Sequence, residues 1–148
     1  MAKPDNPDVA QIGALLNTFT TALRNKDAKS AVSVYADDAV DFDLAPPLII
    51  DSKRVRDPAY IQTWFDTWAS PIESTPHGVT IRVGGDIAFA YGLQHMTGTK
   101  TDGEKVDLWF RATACLERRN GTWKVVHMHN SVPFTMDGSE RALLDLKP

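Results

Sequence analysis

Two acids stand two residues apart in the stretch Val40-Asp41-Phe42-Asp43-Leu44. In an extended chain that spacing puts both carboxylates on one face. A carboxylate inside an apolar cavity can take a proton from a carbon beside a carbonyl and return it elsewhere. Asp43 is a candidate for this work. Asp41 could substitute for it, or raise its pKa by like-charge repulsion. Such a base needs a hydrogen-bond donor opposite it to hold the developing oxyanion. Tyr91 and His95 share one face of the run Ile87 to Thr99 with Ile87, Phe89 and Leu93. That face is bulky, so it is expected to point inward, with Tyr91 and His95 as donors. Tyr60 and Asn130 are further candidate donors. The plainer readings are a strand-end acid for Asp43 and a hydrogen-bonded structural histidine for His95.

A second polar group is Arg111 with His127-Met128-His129. Gly121 to His129 fits the first half of a G-x5-H-x-H metal motif. However, Pro133 and Phe134 stand where its glutamate would be, and no second half-motif appears. Two histidines on one strand give two ligands, where an open catalytic zinc site uses three. No metal is therefore assigned, and structural hydrogen bonding with Arg111 or Thr113 is the favoured reading. Cys115 is the single cysteine, so no intrachain disulfide forms, and its mid-strand setting suits an inert thiol.

The elements that must position these groups can be read in order. Val9, Ile12, Leu15, Leu16, Phe19 and Leu23 recur at helical spacing after a polar lead-in, Pro4 to Pro7. Asp27 is a good N-cap for a second helix carrying Ala31, Val32, Val34 and Tyr35, closed by Asp37-Asp38. Val40 to Leu44 reads as a short strand, stopped by Pro46-Pro47 and continued by extended Leu48 to Ile50. Asp57-Pro58 opens a third helix with Tyr60, Ile61, Trp64, Phe65 and Trp68 on one face. Beyond Pro71 the pattern becomes β: Val79 to Val83, Ile87 to Thr99, Asp107 to Glu117, then Thr122 to Pro133 after the hairpin signal Asn120-Gly121. Leu143, Leu144 and Leu146 are expected to tie down the tail. Helices followed by an antiparallel meander give an α+β fold. A strongly curved sheet roofed by three N-terminal helices makes a cone-shaped α+β barrel with a pocket inside.

The hairpin loop decides which strand faces belong together. Leu108, Phe110, Ala112, Ala114 and Leu116 form an apolar face; Trp109, Arg111, Thr113 and Cys115 form the other. A three-residue loop, Arg119-Asn120-Gly121, pairs Ala114 with Val126 and Thr113 with His127. A two-residue loop swaps the sets and would bring Arg111, His127 and His129 into the pocket. The three-residue loop is favoured because it gives one consistently apolar inner face. The pocket would then hold Phe110, Ala112, Met128 and Asn130, joined by Tyr60, Trp64 and Phe89.

Composition bounds the function. The net charge of −3 gives no clustered basic face for nucleic acid. No stretch approaches the length of a membrane span, and the N-terminus has no apolar signal core, so a cytoplasmic location is expected. With 148 residues, one domain spanning 1–148 is the simplest expectation. Aromatic area with a few polar groups suits a small hydrophobic molecule.

Several motifs carry a family resemblance. They are Tyr35-Ala36-Asp37-Asp38-Ala39, the strand Trp109-Phe110-Arg111-Ala112-Thr113, and the ending Gly121-Thr122-Trp123-Lys124-Val125-Val126-His127-Met128-His129-Asn130-Ser131-Val132-Pro133-Phe134. Together they resemble the nuclear transport factor 2-like superfamily, in its SnoaL-like or ketosteroid-isomerase-homologue branch. The resemblance implies a small-molecule-binding protein, with isomerase, cyclase or dehydratase chemistry on a hydrophobic carbonyl compound and no cofactor. It places Asp43 at the general-base aspartate of the isomerases, although they follow that residue with Pro where Leu44 stands here. It also implies a homodimer formed through the sheet. The final hairpin is similar to the association domain of calcium/calmodulin-dependent kinase, a non-catalytic oligomerisation module, which is the alternative reading.

Overall fold

The computed structural model describes residues 6–148, so the lead-in at Pro4 falls outside the described residues. The fold is α+β, with helices packed on a five-stranded, mostly antiparallel sheet. Helix α1 (Pro7–Asn25) starts where the Asn6 side chain accepts from the Asp8 backbone N–H at 2.9 Å, with Pro7 in the first turn. It stops at Lys26, whose φ of 52° is left-handed and turns the chain. Asp27 caps α2 (Ala28–Ser33), accepting from Ser30 N–H at 3.1 Å.

Strand β1 (Tyr35–Phe42) follows at once. Tyr35 to Ala39 therefore does not close the second helix, as expected from the sequence, but opens a strand. Tyr35, Ala36 and Ala39 are buried. Asp37 and Asp38 loop outward to Arg56 and Arg119, Asp38 lying 2.6 Å from the Arg119 guanidinium. A one-turn helix, α3 (Ser52–Val55), which the sequence reading missed, is capped by Asp51. The helix expected from Asp57-Pro58 is α4 (Pro58–Phe65). Trp68 lies beyond it and is bridged to Lys100.

Strands β2 (Glu73–Gly84), β3 (Ile87–Thr99), β4 (Lys105–Arg119) and β5 (Thr122–Ser131) form the meander. The strand order is β1-β5-β4-β3-β2, with β1 parallel to β5 and the other pairs antiparallel. The β4–β5 loop has two residues, not three: Arg119 pairs with Thr122 around Asn120 (φ 52°) and Gly121 (φ 77°). A bulge then restores the apolar inner face. Leu116 pairs with Val125 but Cys115 pairs with His127, leaving Val126 as the extra residue. Trp123 and Val125 are buried before the bulge and Met128 after it. Phe110, Ala112, Met128 and Asn130 thus share the inner side, with a two-residue loop in place of the expected three.

The bulky face of β3 is the outer one, which reverses the sequence expectation. Ala88 and Ala90 are buried, whereas Ile87, Phe89 and Tyr91 are exposed. The inner side of the sheet is built from small residues: Ala88, Ala90 and Gly92 on β3, Ala112 and Ala114 on β4. The apolar interior falls into two clusters. One groups Ile12, Val34, Tyr35, Val55, Leu116, Val125 and Met128, and the other groups Leu23, Phe65, Trp68, Ile72, Met96 and Phe110. The tail is held less by its leucines, of which Leu144 and Leu146 are exposed, than by Leu143 N–H to Pro133 and Lys147 to Asp107.

Gly98 seats Trp68: a Cβ there would lie 2.7 Å from a ring carbon of that buried indole. Gly98→Ala is expected to lower stability by about 1–3 kcal/mol through overpacking, read as a lower urea midpoint with an unchanged slope.

Candidate active site

A cavity of about 840 Å³ lies between the helices and the inner face of the sheet. Its apolar lining comes from both clusters, including Leu16, Phe19, Tyr60, Trp64, Phe110 and Met128. Its acids are Asp41 on β1 and Asp43 just beyond the strand's end. In the parallel pairing Asp41 stands level with Met128, an inward position, and Phe42 stands level with His129 on the outside. Asp41 borders the cavity, and its Oδ1 accepts the Met128 backbone N–H at 2.9 Å. The buried Tyr35 hydroxyl donates to Met128 Sδ at 3.8 Å, and its nearness favours the charged form of Asp41.

Burial dominates the electrostatics of this acid. It pushes the Asp41 carboxyl up to about 6, partly offset by the hydrogen bonds of Tyr35 and Met128, while the Asp43 charge adds a smaller upward push. Burial also drives the Tyr35 hydroxyl well above its ordinary range, with Asp41 and Asp43 adding to the effect, so it stays a neutral donor.

Asp43 also borders the cavity, but in an exposed position. Its Oδ1 accepts from Asn130 Nδ2 at 3.0 Å and from the Leu44 backbone N–H at 2.7 Å. Asn130, Tyr60, Trp64, Phe110 and Met128 all line the cavity as expected from the sequence. Tyr60 packs against the cluster that contains Tyr35 and Met128.

The other expected groups lie elsewhere. Tyr91 meets the cavity edge, but its ring belongs to the outer face, stacked with Phe89 at 6.2 Å between centroids. Phe89 does not line the cavity. His95 is on the outer face too, stacked on Trp109 at 4.3 Å, with Nε2 2.7 Å from Asp107 Oδ1. The reason is strand alternation: with Ala88, Ala90 and Gly92 inward, residues 89, 91 and 95 must point out. Arg111, His127 and His129 also lie outside, as the favoured register implied. Arg111 donates to Ser131 Oγ at 3.1 Å, His127 Nδ1 contacts the Val40 carbonyl, and both histidines pack edge-on to Phe42.

Sequence reasoning missed Tyr35 and Lys100 as cavity groups. Tyr35 was read into a helix stripe, and Lys100 gives no signal beyond a turn flanked by Asp102-Gly103.

The sequence pattern of the SnoaL-like domain matches residues 12–135. The chain belongs to the SnoaL-like family. No curated protein matches this SnoaL-like chain. Among solved structures it is similar to an NTF2-like protein of unknown function from Pseudomonas putida KT2440. That match has 31% identity and a TM-score of 0.82, and it covers 95% of this chain and 98% of the other. A ketosteroid isomerase-like protein from Erwinia carotovora atroseptica shares the fold at 21% identity and a TM-score of 0.71, covering 85% and 96%. So does a candidate calcium/calmodulin-dependent protein kinase II association domain from Xanthomonas campestris, at 23% identity and a TM-score of 0.73, covering 88% and 91%. This agrees with the superfamily and branch that the motifs resemble.

The raised Asp41 value has a consequence for stability. The folded chain holds this proton to about pH 6, against an ordinary value of 3.8. The protonated form stabilises the fold fully below the ordinary value, and that contribution is lost as pH rises through 6. The gap is worth at most about 3 kcal/mol. Asp41→Asn, which stays neutral, is expected to gain about 2 kcal/mol over the parent chain between pH 4 and pH 8, measured by urea unfolding at both pH values. An advantage that does not change with pH would contradict the buried, proton-holding carboxyl.

Proposed function

We propose that this SnoaL-like chain is an isomerase or lyase acting on a small hydrophobic carbonyl compound, with Asp41 moving the proton. The observation that carries the reading is the Asp41 carboxyl, bordering an apolar cavity with its pKa at about 6. At neutral pH it is mostly ionised and yet far more basic than an exposed aspartate, which suits a general base. The carboxylate would take a proton from the carbon beside the substrate carbonyl, and the electron pair would move onto oxygen as an enolate. Return of that proton to a more distant carbon completes an isomerisation. Expulsion of a β-hydroxyl, leaving with the proton as water, completes a dehydration.

Tyr60 is assigned the oxyanion, because it lines the cavity and packs on the cluster that contains Tyr35 and Met128. The Met128 N–H positions Asp41, and Tyr35 packs beside it against Met128. Asp43, held by Asn130, adds negative charge beside Asp41 and helps to keep its pKa up. Asp41 thus takes the role that the family resemblance gives to Asp43. The isomerase-like name of one structural neighbour supports the reaction class.

Double-bond migration in hydrophobic β,γ-unsaturated ketones, and water loss from β-hydroxy ketones, can both be followed by absorbance. Asp41→Asn is expected to cut the rate on the best substrate about 10²–10⁴-fold, and Tyr60→Phe by about 10- to 100-fold. Unchanged turnover in Asp41→Asn would refute the assignment.

The outer sheet face supports self-association as well. Ile87 is 56% exposed, Phe89 45% and Tyr91 46%, side by side on one strand. We infer a homodimer that covers this face, as the family resemblance implies. Phe89→Glu is expected to sediment as a monomer where the parent chain sediments as a dimer. A parent chain that is monomeric at all concentrations would contradict it.

A further inference from the structure

The cavity has a second polar end that the proton-transfer reading does not use. Asp41 and Met128 stand level with Ala114 of β4, whereas Thr99, next to Lys100, stands level with Lys105. Nine residues of β4 separate those two levels, about 30 Å of bent strand. Both ends border the same cavity.

Lys100 is half-buried at the far end, where its backbone bridges Trp68. Its Nζ lies 4.0 Å from the Trp68 ring centroid and 5.8 Å from that of Trp64. Its hydrogen bond goes to a neutral partner, Thr67 Oγ1, at 2.9 Å. No carboxylate among the described residues reaches it within ion-pair distance. Glu104 and Asp102 act on it only from a distance, and partial burial lowers its pKa, the mark of a cation that has lost water without gaining a counter-ion. Lysines at a surface turn normally keep their charge in water; this one lies across two indoles that line a cavity.

The platform under it is rigid. Trp68 is buried, packs on Gly98 where no Cβ would fit, and its backbone carbonyl accepts from Lys26 Nζ at 2.9 Å. The other cation bordering the cavity, Arg54, is carried by α3, which packs on β1 beside the acids. The two ends therefore differ in sign. One holds carboxylates with an arginine nearby, and the other holds a lone ammonium over aromatic rings.

We propose that the cavity binds an elongated amphipathic carboxylate, its acid group on Lys100 between Trp64 and Trp68 and its apolar body running along Leu108, Phe110 and Met96 toward Asp41. This deepens the proton-transfer reading by naming the substrate class. In that setting the carbonyl to be worked on sits at the end of the molecule remote from its carboxylate. The ammonium offers the anion a charge-assisted hydrogen bond in partly desolvated surroundings, and the indoles below it hold both the cation and the first methylenes. The ion pair also fixes which end of the molecule enters the acidic half, where a carboxylate would be repelled by Asp41 and Asp43.

The test uses binding without chemistry, so it stands or falls apart from proton transfer at Asp41. The purified chain is titrated with dodecanoate below its micelle concentration and with methyl dodecanoate below its solubility limit. Binding is read by calorimetry and by the change in tryptophan emission. The parent chain is expected to bind the acid at least tenfold more tightly than the ester. Lys100→Met should lose that preference with the ester affinity unchanged within twofold, and Lys100→Arg should keep it. A thermal midpoint for Lys100→Met within a few degrees of the parent shows that the loss is local. If neither probe binds, if acid and ester bind alike, or if Lys100→Met keeps the preference, the proposal is wrong. A positive result together with Asp41→Asn variants of unchanged turnover would leave the carboxylate site standing and remove only the proton-transfer reading.

Discussion

The parallel contact between β1 and β5 is the constraint on which the site depends. An acid can be held in an apolar cavity only if its strand turns it inward, and the side chains of a regular strand alternate. Here two local faults set the alternation. On β1 six residues, Tyr35 to Val40, span the distance that three residues, Val125 to His127, span on β5, so Asp37 and Asp38 are pushed out to their arginines. On β5 the extra Val126 changes the phase between Val125 and Met128, and both are buried. Together these faults place Asp41 and Met128 on the same inner side, and the Met128 amide binds the acid directly. Removal of either fault would turn the carboxylate to the outside.

The space that this acid faces has an equally plain origin. Alanines and a glycine line the middle of β3 and β4, so the sheet floor is thin where the helices arch over it. The large side chains that would have filled that space, Phe89, Tyr91 and Trp109, are on the other face. Close approach of β2 and β3 at Gly92, where an added Cβ would sit 3.0 Å from the His77 carbonyl oxygen, accompanies a register shift between His77 and Thr80. Bulges of this kind bend a strand and raise its twist. The chain thus gives up packing in its centre and places a costly acid at the edge of the void. Both choices lower stability, which is the usual cost of a binding or catalytic site.

Much of this was legible in the sequence. Strand β3 could be bounded from its run of apolar and β-branched residues, and Asn120-Gly121 announced the last hairpin. The caps at Asp27 and Asp57, and the motifs shared with the family, were equally plain. Three features were hidden, each for a physical reason. A bulge at Val126 carries no glycine or other turn residue, so nothing local marks the change of phase. Tyr35 to Ala39 has apolar residues at positions that suit either a helix or an irregular strand, and only pairing with β5 decides between them. The bulk of Phe89 and Tyr91 suggests burial, but a sheet that encloses a cavity needs its small residues inside. The last two of these faults misplaced site groups: Tyr35 went unrecognised beside Asp41, and Tyr91 and His95 were turned inward. The wrong hairpin loop did no harm, because the bulge restored the parity it would have changed.

The central claim is that burial in the cavity raises the pKa of the Asp41 carboxyl to about 6. The most direct measurement is a pH titration of the side-chain carboxyl carbons by carbon-detected NMR, with Asp41 assigned by comparison with Asp41→Asn. The account predicts that the Asp41 resonance titrates near pH 6. A midpoint at or below the ordinary aspartate value of 3.8 would contradict it.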